Sequence, residues 1–584
     1  MRATNELLPL LAEYDDVLVE VDGDPARYRE VSDAVEIGVS TSATRGDTDW
    51  FDLGVTITVD GQAIPFLDVF AALAREESHL LLPGGDYFSL EKPERQRLKE
   101  VIGEARALQE SPTGPLKISR FQAGLWEELA SLGVVRRQAN AWREQVTGLL
   151  SIGTVTPAPV PAGLHAELRP YQQQGFDWLV FLWTHRLGGI LADDMRLGKT
   201  VQSLALICHA RAARPADAPF LIVAPTSVVS NWASECARFT PELKVVAVTE
   251  TQARRGESLA AMIAGADVVL TSYTLFRLDF PEYNTADWSA LILDEAQFTK
   301  NHQSKVYQCA RRLEAPFKLA ITGTPMENNL MELWSLLSIS APGLFANPTQ
   351  FGDYYRKPIE KQGDTALLAQ LRRRIRPLVL RRTKEQVATE LPAKQEQVLE
   401  VEVELEPRHR KIYDTHLQRE RQKVLGLIDD MNKNRFTIFR SLTLLRQLSL
   451  DATLVDDTYT NVRSAKIEAL FEQLGDVVAG GHRALVFSQF IGFLGKVRAR
   501  LDAEGVSYCY LDGKTRNRSA VLEQFKAGGA PVFLISLKAG GFGLNLTEAD
   551  YCFLLTRGGT RRPRPKPWTV RTASGRPKTS WCTA

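Results

Sequence analysis

Gly188-Gly-Ile-Leu-Ala-Asp-Asp-Met-Arg-Leu-Gly-Lys-Thr200 decides how the rest of this 584-residue chain reads. An apolar run ends, a short loop follows, and Gly-Lys-Thr opens a predicted helix from Val201 to Ala210. That order makes a phosphate cradle: backbone N–H groups at a helix N-terminus point at the ligand, and the helix dipole favours anions there. Lys199 then reaches the β/γ-phosphates of a nucleotide, and Thr200 holds Mg²⁺. The leading Gly of the general phosphate-loop pattern is missing, because Asp193 occupies its place. Taken alone, the stretch also reads as a loop that merely contains Gly-Lys-Thr.

Its surroundings favour the first reading. Phe220-Leu-Ile-Val-Ala, Ala266-Asp-Val-Val-Leu-Thr, Ala290-Leu-Ile-Leu-Asp and Lys318-Leu-Ala-Ile-Thr are short apolar runs that end in polar residues. They read as buried parallel strands alternating with helices. Ligands of such sheets sit beyond the C-terminal strand ends, so these polar residues converge on one crevice. Asp294, at the end of a strand about a hundred residues after the loop, suits a Mg²⁺ carboxylate. Glu295 suits a base that positions the attacking water. The competing reading of Asp294-Glu295 is a helix cap, which Lys199-Thr200 upstream and Thr322-Gly-Thr-Pro downstream outweigh.

A second α/β region begins near Ser464 and Lys466, with strand-like Ala484-Leu-Val-Phe-Ser, Pro531-Val-Phe-Leu-Ile-Ser and Tyr551-Cys-Phe-Leu-Leu. Two such regions on one chain suggest a ligand held between them. The stretch from 345 to 460 reads as mostly helical and strongly charged. Within it Arg376, Arg381, Arg382 and Lys384 surround an apolar core, as a solvated face, a nucleic-acid backbone contact or a lobe-joining brace. Before residue 150, Val17 to Asp22, Phe51 to Asp60 and His79 to Phe88 read as strands, and Ala63 to Glu76 and Lys92 to Gln109 as helices. No catalytic spacing occurs there, which suits an accessory module. Thr154 to Gly163, with three prolines, reads as a linker.

Bulk composition sets bounds. Hydrophobic content of 44% and charged content of 24% are ordinary for a soluble protein of three or four domains. No apolar run reaches the ~18 residues of a membrane span, and no signal peptide opens the chain. The six cysteines are scattered without a C-x-x-C pair, which fits a reducing cytoplasm and argues against a zinc site. The net charge of +1 hides an asymmetry, for Thr556 to Ala584 carries eight basic residues and no acidic one.

The order of the stretches resembles the Snf2 (SWI/SNF-like) branch of superfamily 2 helicase-like ATPases, over about residues 168 to 555. Leu168-Arg-Pro-Tyr-Gln-Gln-Gln-Gly-Phe-Asp-Trp-Leu looks like the adenine-reading motif, with Gln172 in the reading position. Ala192 to Thr200 looks like motif I, so Asp194, Met195, Arg196, Leu197, Gly198, Lys199 and Thr200 are the nucleotide-binding candidates. Val223-Ala-Pro-Thr-Ser-Val-Val-Ser-Asn-Trp looks like motif Ia, Asp294-Glu-Ala-Gln297 like motif II in its Snf2-like spelling, and Leu319-Ala-Ile-Thr-Gly-Thr-Pro like motif III. Leu380-Arg-Arg-Thr-Lys is a feature of this branch. Val486-Phe-Ser-Gln-Phe, Leu511-Asp-Gly-Lys-Thr and Ser536-Leu-Lys-Ala-Gly-Gly-Phe-Gly-Leu-Asn-Leu-Thr resemble motifs IV, IVa and V.

The resemblance implies an α/β fold of two RecA-like lobes with parallel sheets that close on ATP and Mg²⁺ and walk along double-stranded DNA. The implied division is an α+β accessory region to 153, a first lobe at 154–345, a helical insertion at 346–460 and a second lobe at 461–555. The catalytic set is Lys199, Asp294 and Glu295, with Mg²⁺ on Thr200 and Asp294. Gln297, Thr322, Thr324, Ser536 and Lys538 are candidates for coupling or strand contacts. A cytoplasmic location is expected, with no membrane. A non-hydrolysing nucleotide- or DNA-binding fragment is the alternative, and an RNA helicase a weaker one that Asp294-Glu-Ala-Gln and Leu380-Arg-Arg-Thr-Lys oppose.

Two departures bear on activity. Arg196 stands where the family has Gly, and a non-Gly residue forced to φ > 0 costs about 1–2 kcal/mol. Weakened ATP binding is therefore expected. After Leu555, the family's Asp-Pro-Trp-Trp-Asn-Pro and Asp-Arg-x-His-Arg-Ile-Gly-Gln are missing. Suitable codons for those two segments, read one base late, spell Thr556-Arg-Gly-Gly-Thr-Arg and Thr569-Val-Arg-Thr-Ala-Ser-Gly-Arg. A one-base deletion after Leu555 is therefore expected, against a genuine basic nucleic-acid tail. Loss of the motif VI arginines would impair hydrolysis, by roughly 10³–10⁵ in comparable NTPases. Four prolines and eight basic charges predict that Thr556 to Ala584 is disordered.

Overall fold

The computed structural model describes residues 156–387 except 196 and 215–217, and residues 403–556 except 427–430, 516, 541–545 and 547. It also describes strands at 396–399 and 580–583 and, less completely, residues 29–142. The expected strand at Val17 and the position of Arg196 lie outside the described residues. Two compact units divide the chain, residues 1–389 and 390–584.

The core of the first unit is a seven-stranded parallel sheet. Its strands are β1 (Gly189–Leu191), β2 (Phe220–Ala224), β3 (Val245–Val248), β4 (Val268–Ser272), β5 (Ala290–Asp294), β6 (Lys318–Ile321) and β7 (Val379–Leu380), in the order β3-β4-β2-β5-β6-β1-β7. The apolar runs that predicted β2, β4, β5 and β6 are buried on both faces, as a sheet between two helical layers requires. Helices α1 (Pro170–Thr184), α2 (Lys199–Ala213) and α3 (Thr226–Phe239) supply part of those layers. Helix α2 begins two residues earlier than the apolar pattern suggests, because Lys199 and Thr200 form its first turn. Pro170 at the first position of α1 has a fixed φ already suited to a helix.

The N-terminal region packs on this unit. Val35–Ala43 and Trp50–Val59 pair antiparallel, and His79–Leu81 pairs antiparallel with Asp86–Ser89. Pro93–Leu108 is helical as expected. The helix expected from Ala63 is corrected at its start: Gln62–Ile64 is a strand returning on Ile57–Val59. Asp60-Gly61, a turn-forming pair, lies between the paired Val59 and Gln62.

A buried ionic clasp joins this region to helix α4 (Thr365–Ile375). Arg374 Nε and Nη2 donate to the two oxygens of Glu104 at 2.9 and 2.8 Å, and Nη1 and Nη2 donate to Glu128 at 3.1 Å each. Tyr355 Oη adds a bond to Glu104 at 2.7 Å. The Arg374 and Glu104 side chains are 5% and 1% exposed, so each depends on the other for its solvation.

The second unit holds a six-stranded parallel sheet. Its strands are β8 (Glu396–Leu399), β9 (Ala484–Ser488), β10 (Tyr508–Leu511), β11 (Val532–Ser536), β12 (Tyr551–Leu554) and β13 (Ser580–Thr583), in the order β8-β13-β12-β9-β11-β10. Strand β13 corrects the expectation that the whole tail lacks order. Ser580-Trp-Cys-Thr carries no charge and suits a strand, and Cys582 pairs beside Cys552. Residues 557–579 lie outside the described residues.

Removing one partner of a buried pair strands the other charge, at a cost of about 3–5 kcal/mol. Glu104→Ala is expected to lower the unfolding free energy extrapolated from urea melts by that margin, and Glu104→Leu with Arg374→Met by much less. Thermal and urea melts of the three proteins check this.

Candidate active site

The C-terminal ends of β1, β5 and β6 set the site. In the ladder, Asp294 lies opposite Ile321, and Ile321 opposite Leu191. The loop after β1, the carboxylates after β5 and Thr322 after β6 therefore emerge side by side. Gly198 turns the loop into α2 at φ +75°. The backbone angle favours glycine, and a Cβ there would lie 2.3 Å from Gln172 Nε2 and would have to push that side chain aside. The first turn of α2 follows this glycine, and its N-cap makes no side-chain capping bond.

Lys199 Nζ donates to the carbonyl oxygens of Asp193 at 2.7 Å and Asp194 at 3.2 Å. Burial lowers its pKa, while Glu295, Asp294, Asp193 and Asp194 pull it back up. Asp294 is fixed on both oxygens: Trp232 Nε1 donates to Oδ2 at 2.7 Å, and the Glu295 N–H to Oδ1 at 2.9 Å. Burial, and then the neighbouring Glu295, push its carboxyl up to about 6. Glu295 itself adopts a left-handed backbone, φ 50° and ψ 53°, unusual for a non-glycine residue.

A hydrogen-bonded chain leads away from this pair. Gln297 Nε2 donates to Glu295 Oε2 at 2.8 Å, and Thr322 Oγ1 donates to Gln297 Oε1 at 3.1 Å. Thr324 N donates to Thr322 Oγ1 at 3.1 Å. Four predicted coupling or catalytic residues are thus linked in one run. Gln172 joins the loop from α1: its Oε1 accepts from Arg169 N at 2.9 Å, and its Nε2 donates to Leu197 O at 3.3 Å. Met195 is exposed and lies against Gly323, with its Cγ 3.1 Å from where a Cβ would sit. Ser536 is buried at the end of β11 in the second unit, and Lys538 is exposed just after it.

Three residues escaped the sequence reading. Trp232 was visible only as part of a motif, not as a donor to Asp294. Glu235, one helical turn on, accepts from Asn231 Nδ2 at 3.0 Å, and burial raises its pKa while Asn231 and Thr200 draw it down. Arg382, left between three roles above, forms a buried pair with Asp193. Among the described residues, no cluster of three His, Cys, Asp or Glu is placed to hold a metal. A cation here would need nucleotide oxygens to complete its shell, as Mg²⁺ sites commonly do. Thr200, Asp294 and the raised carboxyl of Asp294 fit such a cation, because a divalent charge would relieve the repulsion from Glu295. No helix among the described residues is long and apolar enough to cross a membrane.

A glycine turn into a helix N-terminus and an acidic pair lie at the C-terminal ends of two parallel strands, β1 and β5, on either side of β6, an arrangement that suits a nucleotide hydrolase. Residues 171–454 match the SNF2-related domain, and residues 465–561 match the helicase conserved C-terminal domain. The chain belongs to the Snf2 family of helicase-like ATPases. It is 34% identical over 476 residues to YwqA of Bacillus subtilis, named as an ATP-dependent helicase/translocase, covering 79% of this chain and 50% of that one. It is 32% identical to the ISWI chromatin-remodeling complex ATPase ISW1 of Saccharomyces cerevisiae, covering 68% of this chain and 36% of that one. The chain therefore spans half or less of the length of these relatives. Among solved structures, the Sulfolobus solfataricus SWI2/SNF2 ATPase core in complex with dsDNA is 26% identical, covering 73% of this chain and 89% of that one, with a TM-score of 0.40.

The sign of the Asp294 shift sets a pH dependence. Its folded pKa lies above the ordinary 3.8, so its contribution to stability is present below pH 3.8 and lost as pH rises through about 6. Without nucleotide or metal, Asp294→Asn is expected to gain stability over the parent at pH 7.5 but not at pH 4. Urea unfolding at both pH values measures the difference.

Proposed function

We propose that the chain is an ATP-dependent double-stranded-DNA translocase or remodeller, with hydrolysis coupled to lobe closure. The observation that carries this reading is that the loop leading to Lys199, and the Asp294-Glu295 pair, emerge at the C-terminal ends of β1 and β5 on either side of β6. In this reading, Lys199 and the N–H groups opening α2 bind the β/γ-phosphates, and Gln172 reads the base. Thr200 and Asp294 hold Mg²⁺, which supplies charge neutralisation on the phosphates when bound. Glu295 accepts a hydrogen bond from the attacking water and turns it toward the γ-phosphate. Gln297, Thr322 and Thr324 carry the state of that carboxylate along their hydrogen bonds, while Ser536 and Lys538 take strand contacts on the second lobe. The five-part division of the chain set out from sequence belongs to the same proposal, as does a cytoplasmic location.

The alternative, a non-hydrolysing nucleotide- or DNA-binding form, draws support from Arg196 and from the altered segment after Leu555. In that form the basic run beyond Leu555 arises from a one-base deletion, which sequencing of the gene across that codon decides. An intact frame with no motif VI in the alternate frame would end that idea.

DNA-stimulated phosphate release is the test between the two readings. Activity that rises with duplex DNA and disappears in Lys199→Ala supports the translocase. DNA binding without turnover in the parent supports the alternative. Arg196→Gly is expected to tighten nucleotide binding by about tenfold, the equivalent of 1–2 kcal/mol of relieved strain. A fluorescence titration with a labelled ATP analogue measures it, and unchanged affinity would refute the role given to Arg196.

A further inference from the structure

The edge strand β7 does not stop at β1. Val379 and Leu380 pair with Ile190 and Leu191, and the pairing then continues along the phosphate loop. Ala192 N donates to Leu380 O at 2.7 Å, and Asp194 N to Arg382 O at 3.0 Å. Lys384 N donates to Asp194 Oδ2 at 3.3 Å. A segment from nearly two hundred residues downstream is thereby zipped to the two residues whose carbonyls hold Lys199.

Arg382 closes this arrangement from inside. Its side chain is 10% exposed, and that of its partner Asp193 is 0%. Its backbone N and its Nε each donate to Asp193 Oδ1 at 3.0 Å. Its Nη2 donates to Asp193 Oδ2 and, at 2.9 Å, to Gln202 Oε1, while Nη1 donates to the carbonyl of Tyr171. Gln202 Nε2 in turn donates to the carbonyls of Leu197 and Gly198, at 3.3 Å each. One guanidinium therefore grips the loop where it leaves β1 and, through Gln202, where it enters α2. Helix α1 makes room for the pair: a Cβ on Gly175 would lie 1.8 Å from Gln202 Oε1 and 2.7 Å from Arg382 Nη2.

We propose that Arg382 is a positioning residue for nucleotide binding, setting the phosphate loop and Lys199 through Asp193 and Gln202 without touching the nucleotide. The nucleotide half of this statement rests on the function proposed above; the loop half does not. The planar fork matters as well as the charge. A lysine keeps the charge but lacks the fixed fork that spans Asp193, Gln202 and the Tyr171 carbonyl. Arg382→Lys therefore gives a partial effect and Arg382→Gln the full one.

Hydrogen–deuterium exchange of the full-length chain without nucleotide tests the loop half directly. Peptides covering residues 189–204 are expected to exchange about tenfold faster in Arg382→Gln, the effect of losing a buried charge-assisted hydrogen bond. Peptides covering β4 and β9 serve as controls and should keep the parent rate. Affinity for a labelled ATP analogue with Mg²⁺ should fall by about tenfold or more, with Arg382→Lys between parent and Arg382→Gln. Parent-like loop exchange in Arg382→Gln overturns the proposal, as does faster exchange spread equally over the control strands. Should Arg382→Gln fail to fold, Arg382→Lys and Gln202→Met carry the same comparison. A parent chain and an Arg196→Gly variant that both fail to bind nucleotide would sink the ATPase reading, while the exchange result would still decide the loop.

Discussion

Three neighbouring strands, β1, β5 and β6, run parallel and in register, and that register fixes where every polar group of the site emerges. Backbone hydrogen bonds hold the ladder, and the sheet is packed between helical layers on both faces, so a shift by one residue would repack every side chain against the opposite layer. The loop of Gly198 and Lys199, the Asp294-Glu295 pair and Thr322 are consequences of that one constraint. The sequence supplies only the right residue at each strand end.

Charge then organises what the register brings together. Asp193, Asp194, Asp294 and Glu295 surround a single lysine, and burial raises the cost of each unpaired charge. Lys199 satisfies its ammonium on two carbonyls, and Asp294 is held by Trp232 and by the neighbouring N–H. Asp193 also acts on Lys199, but its carboxylate is paired with Arg382. The Asp294-Glu295 pair beside Lys199 makes a field that would suit a divalent cation brought in with a nucleotide.

Much of this was legible in the sequence, and the reasons differ by element. The buried strands announced themselves as apolar runs closing on polar residues, and Gly-Lys-Thr and Asp-Glu marked their ends. The antiparallel return at Gln62–Ile64 was misread because Ala63 starts a helix-like apolar pattern. Strand β13 was missed because the eight basic residues of the tail dominated four uncharged ones at its end. Trp232 to Asp294 and Arg382 to Asp193 could not be read at all: they span 62 and 189 residues, and a single sequence carries no trace of which distant side chains meet. Arg382 stood in the sequence only within Leu380-Arg-Arg-Thr-Lys, where nothing marks which of the two arginines is buried.

The central claim is that the strand ends of the first unit form a site for a divalent cation together with a nucleotide. Electron paramagnetic resonance of Mn²⁺ standing in for Mg²⁺ addresses it most directly. The account predicts that Mn²⁺ binds tightly only when an ATP analogue is present, and that Asp294→Asn abolishes this bound signal while the protein stays folded. Manganese binding that is indifferent both to the nucleotide and to Asp294 would contradict it.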